Sequence, residues 1–296
     1  MTMPAPAEGT ALASADWLAA HLGEPGLVVV DATVVMPAPR HDGDYRAESG
    51  RPRWQGARIP GARFADLLEE FADTTAPYHY ALPAPAALAH AFAGLGINDG
   101  DRLVVYDSES GYWAARLWWM ARWIGMDARV LDGGWRAWLA ARGPVAGGAA
   151  DAPAPGRVTP SVRAGYWAAR EEVLGSVRGE TAATLLYALS ADAYAGRVPT
   201  RYARRGHIPG SRLLPAQSLF DADGRYLTAD LLRHRLAALL DDAPRPLVAY
   251  CGGGISAAAV ALALTELGEP AVRIYDGSLE EWASDPTLPL TTDPER

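Results

Sequence analysis

Short hydrophobic runs alternate along this chain with longer stretches in which hydrophobic and polar residues recur at helical spacing. Six runs are mostly aliphatic: 27–32, 102–107, 128–133, 184–189, 246–251 and 272–277. Four stretches between them have the length and periodicity of helices: 83–96, 112–125, 227–240 and 255–268. Hydrophobic strands that alternate with helices are typical of a parallel sheet covered on both faces. The pattern therefore predicts an α/β protein.

The same succession of elements occurs twice. GARIPGARF, at 56–64, resembles RGHIPGSRL, at 205–213. We therefore predict two copies of one domain, at 10–145 and 164–290. The segment 146–163 between them is rich in Gly, Ala and Pro, a composition typical of a linker.

Composition and charge exclude several classes of function. The net charge of −8 argues against a general nucleic-acid or membrane-surface binder, because such proteins need a basic face. A single cysteine excludes an internal disulfide and a multi-thiolate metal site, and the histidines lack the spacing of metal ligands, so we expect no metal. All 27 basic residues are arginine, so any cation that binds a substrate must be a guanidinium. Without a signal-peptide pattern or a stretch of membrane-spanning length, we expect a cytoplasmic protein.

That single cysteine, Cys251, lies between a predicted strand and a predicted helix, followed by Gly252, Gly253 and Gly254. Ligands bind at the carboxyl ends of the strands in open parallel sheets, and Cys251 is at such an end. Glycines allow a sharp turn, and the amides and the positive end of a helix dipole favour an anion. We therefore predict a nucleophilic thiolate, although a lone cysteine is more often a small buried hydrophobe. We also expect Ser256 to cap the helix.

Three other kinds of site share some of these features. A G-x-G-x-x-A run starts at Gly252, as in a weak dinucleotide fingerprint, but only 20 residues follow Asp276, too few for the rest of that fold. A cysteine phosphatase needs an arginine that closes the loop on phosphate, and Ala257 occupies that position. A Walker loop needs a lysine, which the chain lacks.

Several motifs, together with their spacing, resemble the two-domain rhodanese superfamily of sulfurtransferases, which includes thiosulfate and 3-mercaptopyruvate sulfurtransferases. The resemblance covers about residues 10–290. The first half carries it in RIPGARF, YDSESGYWAARLWWMARWIG and LDGGWRAW. The second half carries it in GHIPGS, YCGGGISA and YDGSLEEW.

The resemblance implies tandem rhodanese-like domains, each a parallel sheet flanked by helices. It implies that the first domain is inactive, with Asp107 in the place of Cys251, and that the second is catalytic. Cys251 would take a sulfur atom from a small anionic donor as a persulfide and pass it to cyanide, a thiol or thioredoxin. The loop formed by Gly252, Gly253, Gly254, Ile255 and Ser256 would hold the persulfide with its amides. No cofactor is implied.

Departures from the family pattern affect the choice of donor. Thiosulfate-type members usually carry basic side chains where Gly252 and Gly253 stand here. Mercaptopyruvate-type members often read Cys-Gly-Ser-Gly-Val-Thr, so Gly253 replaces a serine, and Arg58 replaces a first-domain histidine thought to act with it. Asp31 matches an acidic residue of the family in the first copy, but Tyr187 stands at its counterpart in the second.

Arginines near the second HIPG motif complete the predicted site. Arg201 matches a substrate-binding arginine of the family, and Arg197 is next to a second such position, now Ala195. We predict that Arg201, Arg197 and Arg58 bind the donor, with Arg58 reaching across the domain interface. His207 is expected to fix the HIPG turn.

Three functions are compatible with the sequence. The first is a sulfurtransferase, for which we favour 3-mercaptopyruvate over thiosulfate because of Cys-Gly-x-Gly and Arg201. The second is a catalytically silent binding module with the same fold. The third is a cysteine phosphatase or arsenate reductase, against which Ala257 argues.

Overall fold

Two five-stranded parallel sheets form the core of this computed structural model, which describes residues 10–269 and 271–292. The first half of the chain forms seven strands: β1 (Leu12–Ala13), β2 (Leu27–Asp31), β3 (Val34–Val35), β4 (Glu48–Ser49), β5 (Arg63–Phe64), β6 (Arg102–Tyr106) and β7 (Asp127–Leu131). The second half forms five: β8 (Trp167–Ala168), β9 (Thr184–Tyr187), β10 (Arg212–Leu213), β11 (Leu247–Tyr250) and β12 (Val272–Tyr275).

Helices connect these strands and cover the sheets. Five belong to the first half: α1 (Ala15–His21), α2 (Arg51–Gly56), α3 (Pro85–Gly94), α4 (Tyr112–Trp123) and α5 (Gly134–Ala140). Five belong to the second: α6 (Arg170–Val177), α7 (Ala191–Tyr194), α8 (Ala229–Leu240), α9 (Ile255–Glu266) and α10 (Ser278–Ser284). No helix in the described part of the chain is both long and apolar enough to cross a membrane.

The two sheets have the same strand order. The first runs β1-β7-β6-β2-β5, and the second, read in the same direction, runs β8-β12-β11-β9-β10. All pairings in both sheets are parallel. A short antiparallel pair, β3 with β4, occurs in the first half only, within the described residues. This correspondence confirms the predicted tandem fold and makes β6 and β11 equivalent strands.

Five of the six hydrophobic runs contain a strand, the sixth overlaps β7, which begins one residue earlier, and each of the four periodic stretches contains a helix. The outer strands β1, β5, β8 and β10 were not predicted, because a strand of two residues is too short to show a hydrophobic period.

Equivalent turns are tied to the central strands in both halves. The hydroxyl of Tyr106, in β6, accepts from the N–H of Ile59 at 3.4 Å. In β11, the hydroxyl of Tyr250 accepts from the N–H of Ile208 at 2.9 Å. His207 is buried, with Nδ1 2.9 Å from the carbonyl oxygen of Tyr194, and therefore holds the second turn as expected.

Helices α4 and α9, which follow the equivalent strands β6 and β11, pack against each other and join the two halves. Trp118 and Trp119 in α4 are buried, and the ring of Trp119 lies 4.5 Å from that of Tyr166. Trp123 contacts Trp167 edge to face at 6.0 Å. Trp118, Trp119 and Trp123 of α4 therefore serve core and interface packing. Because each helix starts where a central strand ends, this packing brings the two strand-end loops to one interface.

Candidate active site

Cys251 lies at the carboxyl end of β11, which has a strand on each side. The residue is buried, with 2% of its surface exposed. Its backbone N–H donates to Ser278 Oγ at 3.1 Å, and its carbonyl oxygen accepts from the N–H of Leu279 at 3.1 Å. Ser278 Oγ in turn donates to the carbonyl oxygen of Tyr275 at 2.8 Å. The start of α10 therefore fixes the backbone that carries the cysteine.

The loop after Cys251 turns sharply into α9. Gly254 is the N-cap of this helix, with a φ of 77°, a left-handed conformation that favours glycine. A Cβ atom at Gly254 would lie 2.8 Å from Arg116 Nη1. At Gly252, a Cβ atom would overlap the hydroxyl group of Tyr202. Neighbouring side chains therefore restrict both positions to glycine.

Ser256 does not cap the helix, so that prediction is wrong. It is the second residue of α9, whose N-cap, Gly254, makes no side-chain capping bond. The Oγ of Ser256 is buried and has no hydrogen-bond partner among the described residues. Both Ile255 and Ser256 line the same cavity as Cys251. The Ser256 hydroxyl can therefore bond a ligand held there.

The backbone N–H groups of residues 252–256 lie in the loop that follows Cys251 and in the first turn of α9. Across 10–269 and 271–292, no side chain accepts a hydrogen bond from them. The first N–H groups of a helix lack intrahelical acceptors, and the helix dipole is positive at this end. The loop can therefore stabilise a negative charge that Cys251 carries.

A cavity of about 540 Å³ lies next to Cys251 and is lined by both halves of the chain. The second half contributes the cysteine loop together with Arg201, Tyr202 and Glu280, among other residues. The first half contributes Met36, Tyr45, Tyr80, Ser110, Tyr112 and Trp113. The site is therefore shared between a domain with the cysteine and a domain without one.

Arg201 is the one of the three predicted arginines that lines this cavity. Its Nε is buried without a hydrogen-bond partner in the described part of the chain. Its Nη2 donates to the carbonyl oxygen of Pro37 in the first half. One nitrogen of Arg201 is thus bound to the first half, and another lacks a hydrogen-bond partner among the described residues.

The other two arginines lie outside the cavity, which corrects the predicted set. Arg197 is an exposed residue whose Nη1 lies 3.4 Å from a carboxylate oxygen of Asp192. Arg58 does not reach across the interface, because it is buried within the first half. Its Nη1 donates to the carbonyl oxygen of Gly148 at 2.9 Å, and its guanidinium lies 4.5 Å from the ring centre of Trp54.

Arg116, in α4, contacts the cysteine loop and was not predicted. It is 1% exposed, and its Nη2 donates to Asp276 Oδ1 at 2.5 Å and to the carbonyl oxygen of Tyr80 at 2.9 Å. Its guanidinium also lies 4.8 Å from the ring centre of Trp167. The sequence signal was a charge in the middle of a mostly apolar helix, since such a charge needs a buried partner. Arg116 therefore anchors the first half to the strand end beside Cys251.

Tyr202 and Glu280 were also missed, because nothing in their spacing marks them. Burial is the main cause of the raised pKa of Tyr202, and the proximity of Cys251 raises this pKa further. Glu280 Oε2 would lie 3.7 Å from a Cβ atom at Gly253. The backbone N–H of Glu280 donates to the carbonyl oxygen of Gly252 at 2.9 Å. Both residues contact the loop only because the fold brings distant segments together.

Asp107 occupies in the first sheet the position that Cys251 has in the second. It follows β6 and is 2% exposed. Its carboxylate accepts three backbone hydrogen bonds, each of 2.9 Å, from the N–H groups of Glu109, Gly111 and Ala114. Burial raises the pKa of Asp107, and these three bonds oppose the rise. The N–H groups of the first loop therefore bond a carboxyl group that belongs to the chain.

A cysteine at a strand end, a glycine turn, a helix N-terminus and a cavity with an arginine define a protein of the α/β class with a thiol-based anion site. Comparison with known proteins identifies the family. A model of the rhodanese-like domain matches residues 14–141 and 195–285, and the chain belongs to the rhodanese family.

Three relatives illustrate the similarity. A Pseudomonas aeruginosa protein named "Probable 3-mercaptopyruvate sulfurtransferase" is 35% identical over 95% of this chain and 98% of its own. A thiosulfate sulfurtransferase of Cricetulus griseus is 33% identical over 92% of this chain and 91% of its own. The crystal structure of SseA from Escherichia coli, a 3-mercaptopyruvate sulfotransferase, is 31% identical, with a TM-score of 0.76 over 91% of this chain and 98% of that chain. These relatives support sulfurtransferase activity for the chain.

Proposed function

We propose that this chain transfers a sulfur atom from a small anionic donor, through a persulfide on Cys251, to a nucleophilic acceptor such as a thiol, cyanide or thioredoxin. The observation that carries the proposal is that one cavity is lined by Cys251, by residues of its glycine loop and by Arg201. The cytoplasm is the proposed location, because the reaction needs a reduced thiol.

In the first half-reaction, the Cys251 thiolate attacks the sulfur of 3-mercaptopyruvate. A bond forms between the two sulfur atoms and the donor's carbon–sulfur bond breaks. The electron pair of that bond leaves on the enolate of pyruvate, which takes up the proton released by the donor thiol. With thiosulfate, the sulfur–sulfur bond breaks instead and sulfite leaves with the electron pair.

The chain's own groups have distinct roles in this step. Arg201 binds the carboxylate or sulfonate of the donor through a charge-assisted hydrogen bond. The amides of residues 252–256 stabilise the terminal sulfur of the persulfide, which is an anion. In the second half-reaction, an acceptor thiolate attacks this terminal sulfur, the sulfur–sulfur bond breaks, and the Cys251 thiolate is restored.

We favour 3-mercaptopyruvate over thiosulfate as the donor. Arg201 is the single arginine among the residues described as lining the cavity, and Gly252 and Gly253 provide no further cation. One arginine suits a substrate with one carboxylate better than a dianion. The two nearly full-length 3-mercaptopyruvate-type relatives are consistent with this choice.

Intact mass of the reduced protein after brief exposure to each donor separately tests the proposal. A gain of one sulfur atom in the wild type, absent in Cys251→Ser, is the expected result, with 3-mercaptopyruvate giving the faster gain. If neither donor adds sulfur to folded protein, the enzyme proposal is overturned in favour of a binding module.

A further inference from the structure

Glu280 places a carboxylate in the cavity that contains Cys251. Its side chain is 17% exposed, and its Oε1 bonds His79 Nδ1 of the first half. Its other oxygen, Oε2, faces the cysteine loop near Gly253. The proposed reaction does not use this group, and the anionic donor gains nothing from it.

Arg201 and Glu280 give this cavity one charge of each sign. Both act on the same two phenols, those of Tyr80 and Tyr202. Burial is the largest cause of the rise in the pKa of Tyr80 to about 12, which Glu280 increases and Arg201 decreases. Because both side chains line one cavity and influence the same hydroxyls, a small ligand that occupies it experiences both charges.

The consequence depends on the charge of the ligand. Charges in a partly buried cavity interact more strongly than charges in water, because the effective dielectric constant there is lower. A dianion such as thiosulfate has a favourable interaction with Arg201 and an unfavourable one with Glu280. A thiol that carries an ammonium group gains from Glu280 instead.

We propose that Glu280 is a specificity-determining residue, which opposes dianionic donors and favours thiol acceptors that carry an ammonium group. The inference rests on the proposed function, since it concerns both half-reactions of the Cys251 persulfide. In the second half-reaction, the acceptor thiolate attacks the terminal sulfur of the Cys251 persulfide. The sulfur–sulfur bond breaks, the Cys251 thiolate is restored, and the acceptor leaves as a persulfide. Glu280 binds the ammonium group of the acceptor and takes no part in these bond changes.

Two acceptors of opposite charge test the proposal: cysteamine, which carries an ammonium group, and 3-mercaptopropionate, which carries a carboxylate. The protein is first loaded with sulfur, and the loss of that sulfur is followed by intact mass with each thiol at one pH. The ratio of the two rates is compared between wild type and Glu280→Gln. This comparison cancels the intrinsic reactivities of the thiols, because the same two thiols serve both proteins.

We expect Glu280→Gln to shift this ratio about tenfold towards 3-mercaptopropionate, equivalent to about 1.4 kcal/mol. The ratio of loading rates from thiosulfate and 3-mercaptopyruvate should shift towards thiosulfate. Glu69→Gln is the matched control, because Glu69 lines a neighbouring cavity and does not line that of Cys251. It should leave both ratios unchanged.

Each outcome has a separate meaning. Unchanged ratios in a loaded Glu280→Gln protein overturn the role of Glu280 and leave the proposed function intact. If no donor loads the wild type, the proposed function fails, and this inference fails with it. Should Glu280→Gln not fold, the wild-type preference for cysteamine is measured in increasing salt. A charge-based preference must shrink as salt screens it, and a constant preference overturns the proposal.

Discussion

The two halves of the molecule place a loop at the end of equivalent strands, but the backbone N–H groups of the two loops differ in whether a side chain accepts from them. In the first half, the Asp107 carboxylate accepts backbone bonds from Glu109, Gly111 and Ala114. In the second half, no described side chain accepts from the corresponding amides after Cys251. The first loop is therefore satisfied by its own carboxylate, and the second can bind an anionic sulfur. One scaffold thus yields a structural loop or a reactive one, depending on the residue at the strand end.

Replacing the cysteine by the residue of the other loop gives the largest expected effect. We expect Cys251→Asp to lower the rate of sulfur transfer by about 10³-fold or more, because the nucleophile is lost. Its carboxylate should accept the loop amides as Asp107 does, so the melting temperature should be retained. Sulfur loading and thermal unfolding measure the two effects, with Cys251→Ser as the inactive control that adds no carboxylate. A strongly lowered melting temperature would show that the loops are not equivalent.

Replacing the Asp107 carboxyl group tests the same comparison in the first loop. Asp107→Asn turns one acceptor oxygen into a donor, so one buried N–H loses its partner. We expect the free energy of unfolding to fall by about 1–3 kcal/mol, measured by urea denaturation. Asp127→Asn, at an exposed residue of β7, is the control and should change little. Sulfur loading of the folded Asp107→Asn protein should persist, and its loss would assign Asp107 a direct part in the reaction.

Two glycines of the second loop separate turn geometry from chemistry. Gly252→Ser must displace Tyr202, whose hydroxyl lies where the new Cβ would be, so kcat/KM should fall by about tenfold or more. Gly253→Ser meets Tyr80 Cδ2 at 3.3 Å, which a small shift can relieve, so kcat/KM should change by less than about threefold. Steady-state kinetics with 3-mercaptopyruvate measure both. Equal losses at the two positions would contradict the account based on Tyr202.

The smallest effect concerns an acid at the end of β2, in the first half. Burial is the main reason that the pKa of Asp31 rises from 3.8 to about 6. A raised folded-state pKa means that this residue's stability contribution is full below the unfolded value of 3.8 and is lost as pH rises through about 6. The loss of this contribution should lower the free energy of unfolding by about 1 kcal/mol between about pH 5 and about pH 7.

Urea denaturation at several pH values measures this loss. In Asp31→Asn, the decline in the free energy of unfolding between about pH 5 and about pH 7 should be about 1 kcal/mol smaller than in the wild type. The pKa of Asp132 is also raised to about 6, mainly by burial. Asp132 should therefore cause a similar fall in the free energy of unfolding with pH, which remains in the Asp31→Asn variant. Tyr187→Phe, at the counterpart of Asp31 in the second half, should leave the slope unchanged. An unaltered pH dependence in Asp31→Asn would show that the acid does not titrate in this range.

The sequence by itself determined the repeated α/β pattern, the strand that ends at Cys251 and the glycine turn into α9. These features follow from local rules, because a buried strand, a helix and a turn each leave a periodic or compositional signal within a few residues. The tandem fold followed from the similarity of the two halves. Arg201 was found because it lies beside a recognisable motif.

Only the tertiary structure decided what surrounds the sulfur. Arg116, Tyr202 and Glu280 are distant in sequence from the residues that they contact or face, and the place of Arg116 depends on how α4 packs on α9. Arg58 and Arg197 lie outside the cavity, although the sequence grouped them with Arg201. Contacts between distant segments depend on how the faces of helices and sheets are buried against each other, and a short stretch of sequence does not reveal this. The charge balance of the cavity is therefore a property of the folded chain.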